Sequence, residues 1–162
     1  MSLESVKAFF AERQLNIPIL ETQESTATVV LAALAHGVEP GRIAKTLAFR
    51  LADARVILLV ASGDARIDNA GFKQVFGKGK MLPPDEVADL TGHPVGGVCP
   101  FGLANPLPIY LDTSLQAYDE VLPAAGSTHS AVRLRVEALS DITGGEWVSV
   151  CRVPAAELGG SS

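Results

Sequence analysis

Alternation and helical spacing divide this chain into clear pieces, and the clearest is the run from Ile43 to Leu51. In an extended segment Ile43, Lys45, Leu47, Phe49 and Leu51 share one face, and Ala44, Thr46, Ala48 and Arg50 share the other. The bulky face should meet a core, yet it carries a lysine. Such a lysine must reach water, find a partner or line a cavity. The reading adopted is that Lys45 lines a cavity. A short turn around Asp53 and a second strand, Arg55 to Ala61, complete a hairpin. Val56-Ile57-Leu58-Leu59-Val60 is apolar on both faces and so should be a central strand covered on both sides.

Around this hairpin the spacing predicts a helix over 2–14, capped by Ser2, with Leu3, Val6, Phe9 and Phe10 recurring at helical intervals. A short extended piece, Ile19 to Glu21, follows Pro18. Ser25 or Thr26 should cap a second helix with a buried stripe of Ala27, Val30, Leu31, Leu34 and Ala35, closed at Gly37. His36 would sit at that helix's C-terminus, where a partly cationic imidazole is favourable. A third helix is expected over 67–77, capped by Asp68, with Phe72, Val75 and Phe76 inward. Gly77-Lys78-Gly79-Lys80 reads as an exposed basic turn, and Pro83-Pro84 opens a fourth helix through about Leu90. Further strands are expected over 108–112, 131–136 and 146–153, a helical turn over 114–122, and another over 137–143. His93 would lie on a surface loop. Hairpins with inserted helices, rather than strict alternation of strand and helix, favour an α+β domain around a mainly antiparallel or mixed curved sheet, with helices packed around it.

Composition narrows the function. The 162 residues suit one domain, residues 1–162, with 155–162 as a flexible tail. No run approaches a membrane span of ~20 apolar residues. The N-terminus lacks a secretory pattern, so the expected location is cytoplasmic. Two distant cysteines, Cys99 and Cys151, and three scattered histidines give no metal-site spacing. No metal and no cofactor are expected. The net charge of −5 argues against a long basic surface for DNA, but not against contact with one end of a nucleic acid.

Two loops could carry chemistry. Val95-Gly96-Gly97-Val98-Cys99-Pro100-Phe101-Gly102 can bend sharply and present free N–H groups, although a plain surface turn explains the spacing equally well. Ala124-Ala125-Gly126-Ser127-Thr128-His129-Ser130 is small and polar and precedes a strand. An "IAKTL" strand, a "GGVCPFG" loop and an "AAGS" turn, in that order from about residue 20 to 153, resemble the YbaK/EbsC family. These are the prolyl-tRNA synthetase INS-like editing domains and their free-standing relatives. The resemblance implies their fold and a trans-acting aminoacyl-tRNA deacylase that hydrolyses the ester of a mischarged tRNA bearing a small amino acid. It implies Lys45 as the functional lysine and Gly96 to Pro100 as the loop holding ester and ribose, with Gly97, Phe101 and Gly102 in the same stretch. Gly126 and Ser127 would close the pocket, with His129 beside them. The implied partner is the acceptor end of the tRNA; an aminoacyl-tRNA synthetase is a further one.

Residue chemistry agrees in part. Ester hydrolysis needs a water, oxyanion donors and positioning, and backbone N–H groups of the 96–102 loop could be donors. No Ser-His-Asp spacing is visible, which fits substrate-assisted attack by water. Lys45 would anchor the terminal adenosine, since a protonated lysine is a poor base. Cys99, with no histidine evidently near, reads as packing or pocket lining. His129 has a parity opposite to Val132 and Leu134 and otherwise reads as surface. Lys73, Lys78 and Lys80 form the densest basic cluster, either solvated surface or a landing patch for an acceptor stem, with Arg42 and Arg50 flanking Lys45. A non-catalytic module that binds a tRNA end, a nucleotide or a synthetase remains the rival reading.

Overall fold

The structure, a computed structural model, describes residues 2–153, so the tail expected at 155–162 lies outside the described residues. Helix α1 (Ser2–Glu12) is shorter than expected; Gln14 takes a positive φ of 56° and breaks it. Ser2 does not cap it. Its hydroxyl donates to the carbonyl of Gly126, tying α1 to a distant turn. β1 spans Ile19–Glu21. α2 spans Val29–His36, capped by Thr28, whose hydroxyl accepts from Leu31 N at 3.1 Å, and closed by left-handed Gly37. The expected caps lie outside it. Thr26 instead gives both its N–H and its hydroxyl to the carbonyl of Thr128. The later start turns the helix, and the expected stripe is overturned. Ala32 and Ala33 pack on Ile43 and Leu122, while Val30 and Leu34 are 62% and 74% exposed. Two alanines let the helix sit close to the strands in a way the larger side chains would not.

β2 (Ile43–Leu51) and β3 (Val56–Ser62) form the expected hairpin, with Ala44 opposite Ser62 and Arg50 opposite Val56. Residues 57–61 are fully buried. β4 (Arg66–Ile67) leads to α3 (Asn69–Phe76), where Asp68 holds the cap position without a side-chain bond. Phe72 is buried and Val75 is not, contrary to expectation. The expected basic turn is instead a strand, β5 (Gly79–Met81), because it pairs with the far end of β2. α4 spans Pro84–Thr91 and β6 Ile109–Asp112. The helical turn expected over 114–122 covers only Thr113–Ala117; β7 (Glu120–Pro123) takes the rest.

The strand expected over 131–136 divides into β8 (Ser130–Val132), paired with β1, and β9 (Leu134–Arg135), paired with β7. α5 (Leu139–Thr143) follows. The last expected strand also divides, into β10 (Glu146–Val148) and β11 (Cys151–Arg152). Buried Asp112 makes this bend by accepting from Val150 N at 2.8 Å and Cys151 N at 3.1 Å. The fold is the expected α+β class. Its seven-stranded mixed sheet has the order β10-β6-β3-β2-β7-β9, with β5 also on β2. Among the described residues no helix is long and apolar enough to cross a membrane.

Candidate active site

The site lies where the sheet edge is interrupted. On one side β2 runs along β3 throughout. On the other, β7 pairs with Ile43 and Ala44 only, and β5 pairs with Phe49 to Leu51. Residues 45–47 fall in the gap, and Ala48 at its far end accepts from Leu82 N. A cavity of about 280 Å³ opens there, walled by α2, the start of α4, the 95–98 loop and the ends of β7 and β8. Ala27, Ala32, Ala44, Ala48, Ala124 and Ala131 keep much of its wall small and apolar. Its polar contributions come from Thr26, Thr28, Lys45, Thr46 and Ser130, and among the described residues no carboxylate, imidazole or thiol lines it.

Lys45 is half-buried. Its Nζ donates to the carbonyls of Gly63 (3.2 Å) and Ala65 (2.5 Å) in the turn that leaves β3. A side chain at Gly63 would collide with the carbonyl of Pro40, so glycine lets this turn approach β2. Burial lowers the Lys45 pKa and nearby Arg66 lowers it further; Cys151 and Asp64 oppose both. Lys45 thus lines a mostly apolar cavity while two carbonyls, neither of them on the cavity wall, hold its ammonium.

Thr46, beside it, was not singled out by sequence. Its hydroxyl is buried and has no hydrogen-bond partner among the described residues. The bonds Leu82 N to Ala48 O and Ala52 N to Lys78 O show that even-numbered residues of β2 turn their backbone groups toward this edge. By strand alternation, Thr46 turns its N–H and C=O to the gap.

Of the loop residues, Gly96 lines the cavity, with Val95 and Val98. Gly96 has φ +89°, and a side chain there would strike Ala27. Gly97 lies behind the wall. Its carbonyl accepts from Gly126 N at 3.0 Å, and any Cβ would come within 2.7 Å of Ser127 N. Pro100 is buried and off the wall. Phe101 is fully buried against Phe9 and Phe10, and Gly102 lies against the Ser5 backbone. Gly126 lies against the Ser2 backbone. Ser127 stands one bond back, its hydroxyl 2.7 Å from that of Ser130. His129 is exposed and bonded to Thr128, outside the cavity. Only Lys45 and Gly96 of the expected residues therefore reach the wall; Gly97, Phe101, Gly102, Gly126 and Ser127 pack behind the loop and turn that form it, and His129 stands apart at the surface.

Two expectations about histidine are overturned. His93 is fully buried, not on a surface loop, and stands 3.5 Å from Cys99. Its Nε2 bonds the carbonyl of Phe101 at 2.7 Å. Burial lowers the His93 pKa and pushes the Cys99 thiol up to about 12, so a neutral ring and a protonated thiol sit together. This pair holds the loop and is no nucleophile. His36 is likewise pushed toward neutrality, by burial and then by Arg133, rather than favoured as a cation.

The aminoacyl-tRNA editing domain family matches residues 23–142, a span that contains every residue of this cavity wall. The chain belongs to this family. Over 154 residues it is 47% identical to "Uncharacterized protein YwhH" of Bacillus subtilis (strain 168), covering 94% of this chain and 98% of that one. It is 28% identical over 116 residues to "Putative Cys-tRNA(Pro)/Cys-tRNA(Cys) deacylase EbsC" of Enterococcus faecalis, covering 70% and 71%. The fold superimposes with a TM-score of 0.85 on "a putative trans-editing enzyme for prolyl tRNA synthetase", at 33% identity over 93% of this chain and 97% of the other.

Proposed function

We propose that this editing domain hydrolyses the ester between a small amino acid and the wrong tRNA. The observation that carries the reading is the small, largely apolar cavity at the broken edge of β2, lined in part by Lys45 and, among the described residues, by no carboxylate, imidazole or thiol. At about 280 Å³ it lies at the low end of ligand pockets, which suits a small side chain and little more. Lys45 holds the terminal adenosine by its ribose or phosphate. The Thr46 backbone and Gly96 contact the ester. Water attacks the ester carbonyl; the carbon–oxygen bond to the ribose breaks, and the ribose oxygen leaves with a proton. A free hydroxyl of the substrate's own ribose orients that water, since no group of the wall is suited to act as base. A synthetase that hands over the mischarged tRNA is a further partner, and the cytoplasm is the compartment where that substrate arises.

The test is a panel of mischarged tRNAs carrying alanine, serine, cysteine and other small residues. Wild type hydrolyses at least one, and Lys45→Ala lowers kcat/KM about 100-fold or more while circular dichroism is unchanged. A folded Lys45→Ala protein with wild-type turnover would overturn the role of Lys45. Saturable binding without hydrolysis anywhere on the panel would favour a non-catalytic tRNA-end module.

A further inference from the structure

β5 separates the cavity described above from a second one. This second cavity, about 630 Å³, lies between β5, α3 and the start of α4, and the two share Met81 and Leu82. Its wall carries Arg50, Lys73, Lys78 and Lys80 in a chain whose net charge is −5. Among the described residues the one carboxylate on the wall, Glu86, is taken by Arg50 at 3.0 Å. Lys73, Lys78 and Lys80 are exposed and make no ion pair among the described residues.

The register sharpens this. Arg50 and Lys80 stand directly opposite each other across β2 and β5. Like charges in that position oppose strand pairing; Glu86 offsets the Arg50 charge, and a bound anion would offset that of Lys80. Gly79 helps to create the arrangement: a side chain there would come within 2.8 Å of the Phe72 ring, so only glycine lets β5 lie down on α3 and raise both flanking lysines to the groove. Met81, 60% exposed, forms the sill between groove and cavity and gives an unpaired base an apolar surface. Arg42, by contrast, is taken by Glu39 and Asp119 and is not on this wall.

We propose that this groove holds phosphodiester groups of the unpaired 3′ end of tRNA and leads the aminoacylated terminus over Met81 into the first cavity. This rests on the deacylase reading for the terminus, but the groove can be tested without it. The probe is uncharged tRNA, followed by fluorescence anisotropy across a salt series, with wild type and with Lys73→Glu/Lys78→Glu/Lys80→Glu. Each single-strand phosphate contact contributes about 0.7 to the slope of log affinity against log salt, so the variant should lose about 2 and bind about tenfold or more weakly at low salt. A Lys78→Ala/Lys80→Ala variant, which adds no negative charge, should fall between. Removing the unpaired 3′ nucleotides from the tRNA should erase the difference between variant and wild type. On aminoacyl-adenosine, which has no phosphodiester, the variants should keep wild-type turnover.

Equal slopes and affinities in all proteins would overturn the groove. So would a difference that survives removal of the 3′ nucleotides, which assigns the lysines to the duplex stem. An equal loss on tRNA and on aminoacyl-adenosine would also overturn it, by tracing the defect to the first cavity. If wild type hydrolyses neither ester, the deacylase reading fails, and the groove is still decided by the slopes.

Discussion

Lys45 and Thr46 are neighbours that differ in how far sequence alone exposes them. A charge on an apolar face breaks a pattern, so Lys45 is visible from alternation. Threonine is at home in a strand, and what sets Thr46 apart is the absence of a partner across the edge, which only the folded sheet reveals. An unpartnered buried hydroxyl costs about 1–3 kcal/mol, so folding alone does not favour it here. A polar group of the substrate would satisfy it. Thr46→Val keeps the shape and removes the orphan. The expected result is a melting temperature equal to or above wild type, together with a kcat/KM for deacylation about tenfold lower, the value of one lost hydrogen bond. A purely structural threonine would move both in the same direction, and unchanged kcat/KM would remove Thr46 from the site.

At the scale of elements, the hairpin β2–β3 was legible because alternation and continuous apolarity are local signals. The misread elements depended on distant partners. β5 has the composition of a turn and is a strand because β2 extends beyond β3's other neighbours to meet it. α2 buries the opposite stripe because Thr128, far along the chain, holds Thr26 out of the helix. The residues of the GGVCPFG loop divide between wall and clamp, a division made by α1 and the 126–127 turn that its spacing alone does not reveal. Gly97 tests the clamp. Its backbone needs no positive φ, so the constraint is contact with the Gly126–Ser127 backbone. Gly97→Ala should cost about 1–3 kcal/mol in urea denaturation, as for other overpacked sites, and should also slow deacylation by moving Gly96. Wild-type stability would show that loop and turn are not pressed together.

For the whole molecule, the buried imidazoles make the fold sensitive to acid. The order of seven strands was not legible, and with it the burial of His93 beneath the loop was hidden. Burial lowers the pKa of His93 from the ordinary 6.5, against a smaller opposing effect from its bond to the carbonyl of Phe101. Cys99, which touches the ring, has its thiol pushed up to about 12 by burial and so stays protonated and uncharged at neutral pH. The folded state therefore binds fewer protons than the unfolded state between the depressed folded value and 6.5, so stability rises with pH across that window. In acid the sign is adverse: as pH falls below 6.5 the unfolded chain takes up a proton that the folded chain refuses, and stability drains until His93 is charged in both states. His36, also lowered, adds in the same direction. Urea denaturation at about pH 7.5 and about pH 5.5 should give a clearly lower midpoint in acid. His93→Gln, which can still donate to Phe101, should be less stable at the upper pH yet show a shallower loss between the two. An identical loss in wild type and His93→Gln would mean that the acid sensitivity belongs to other groups.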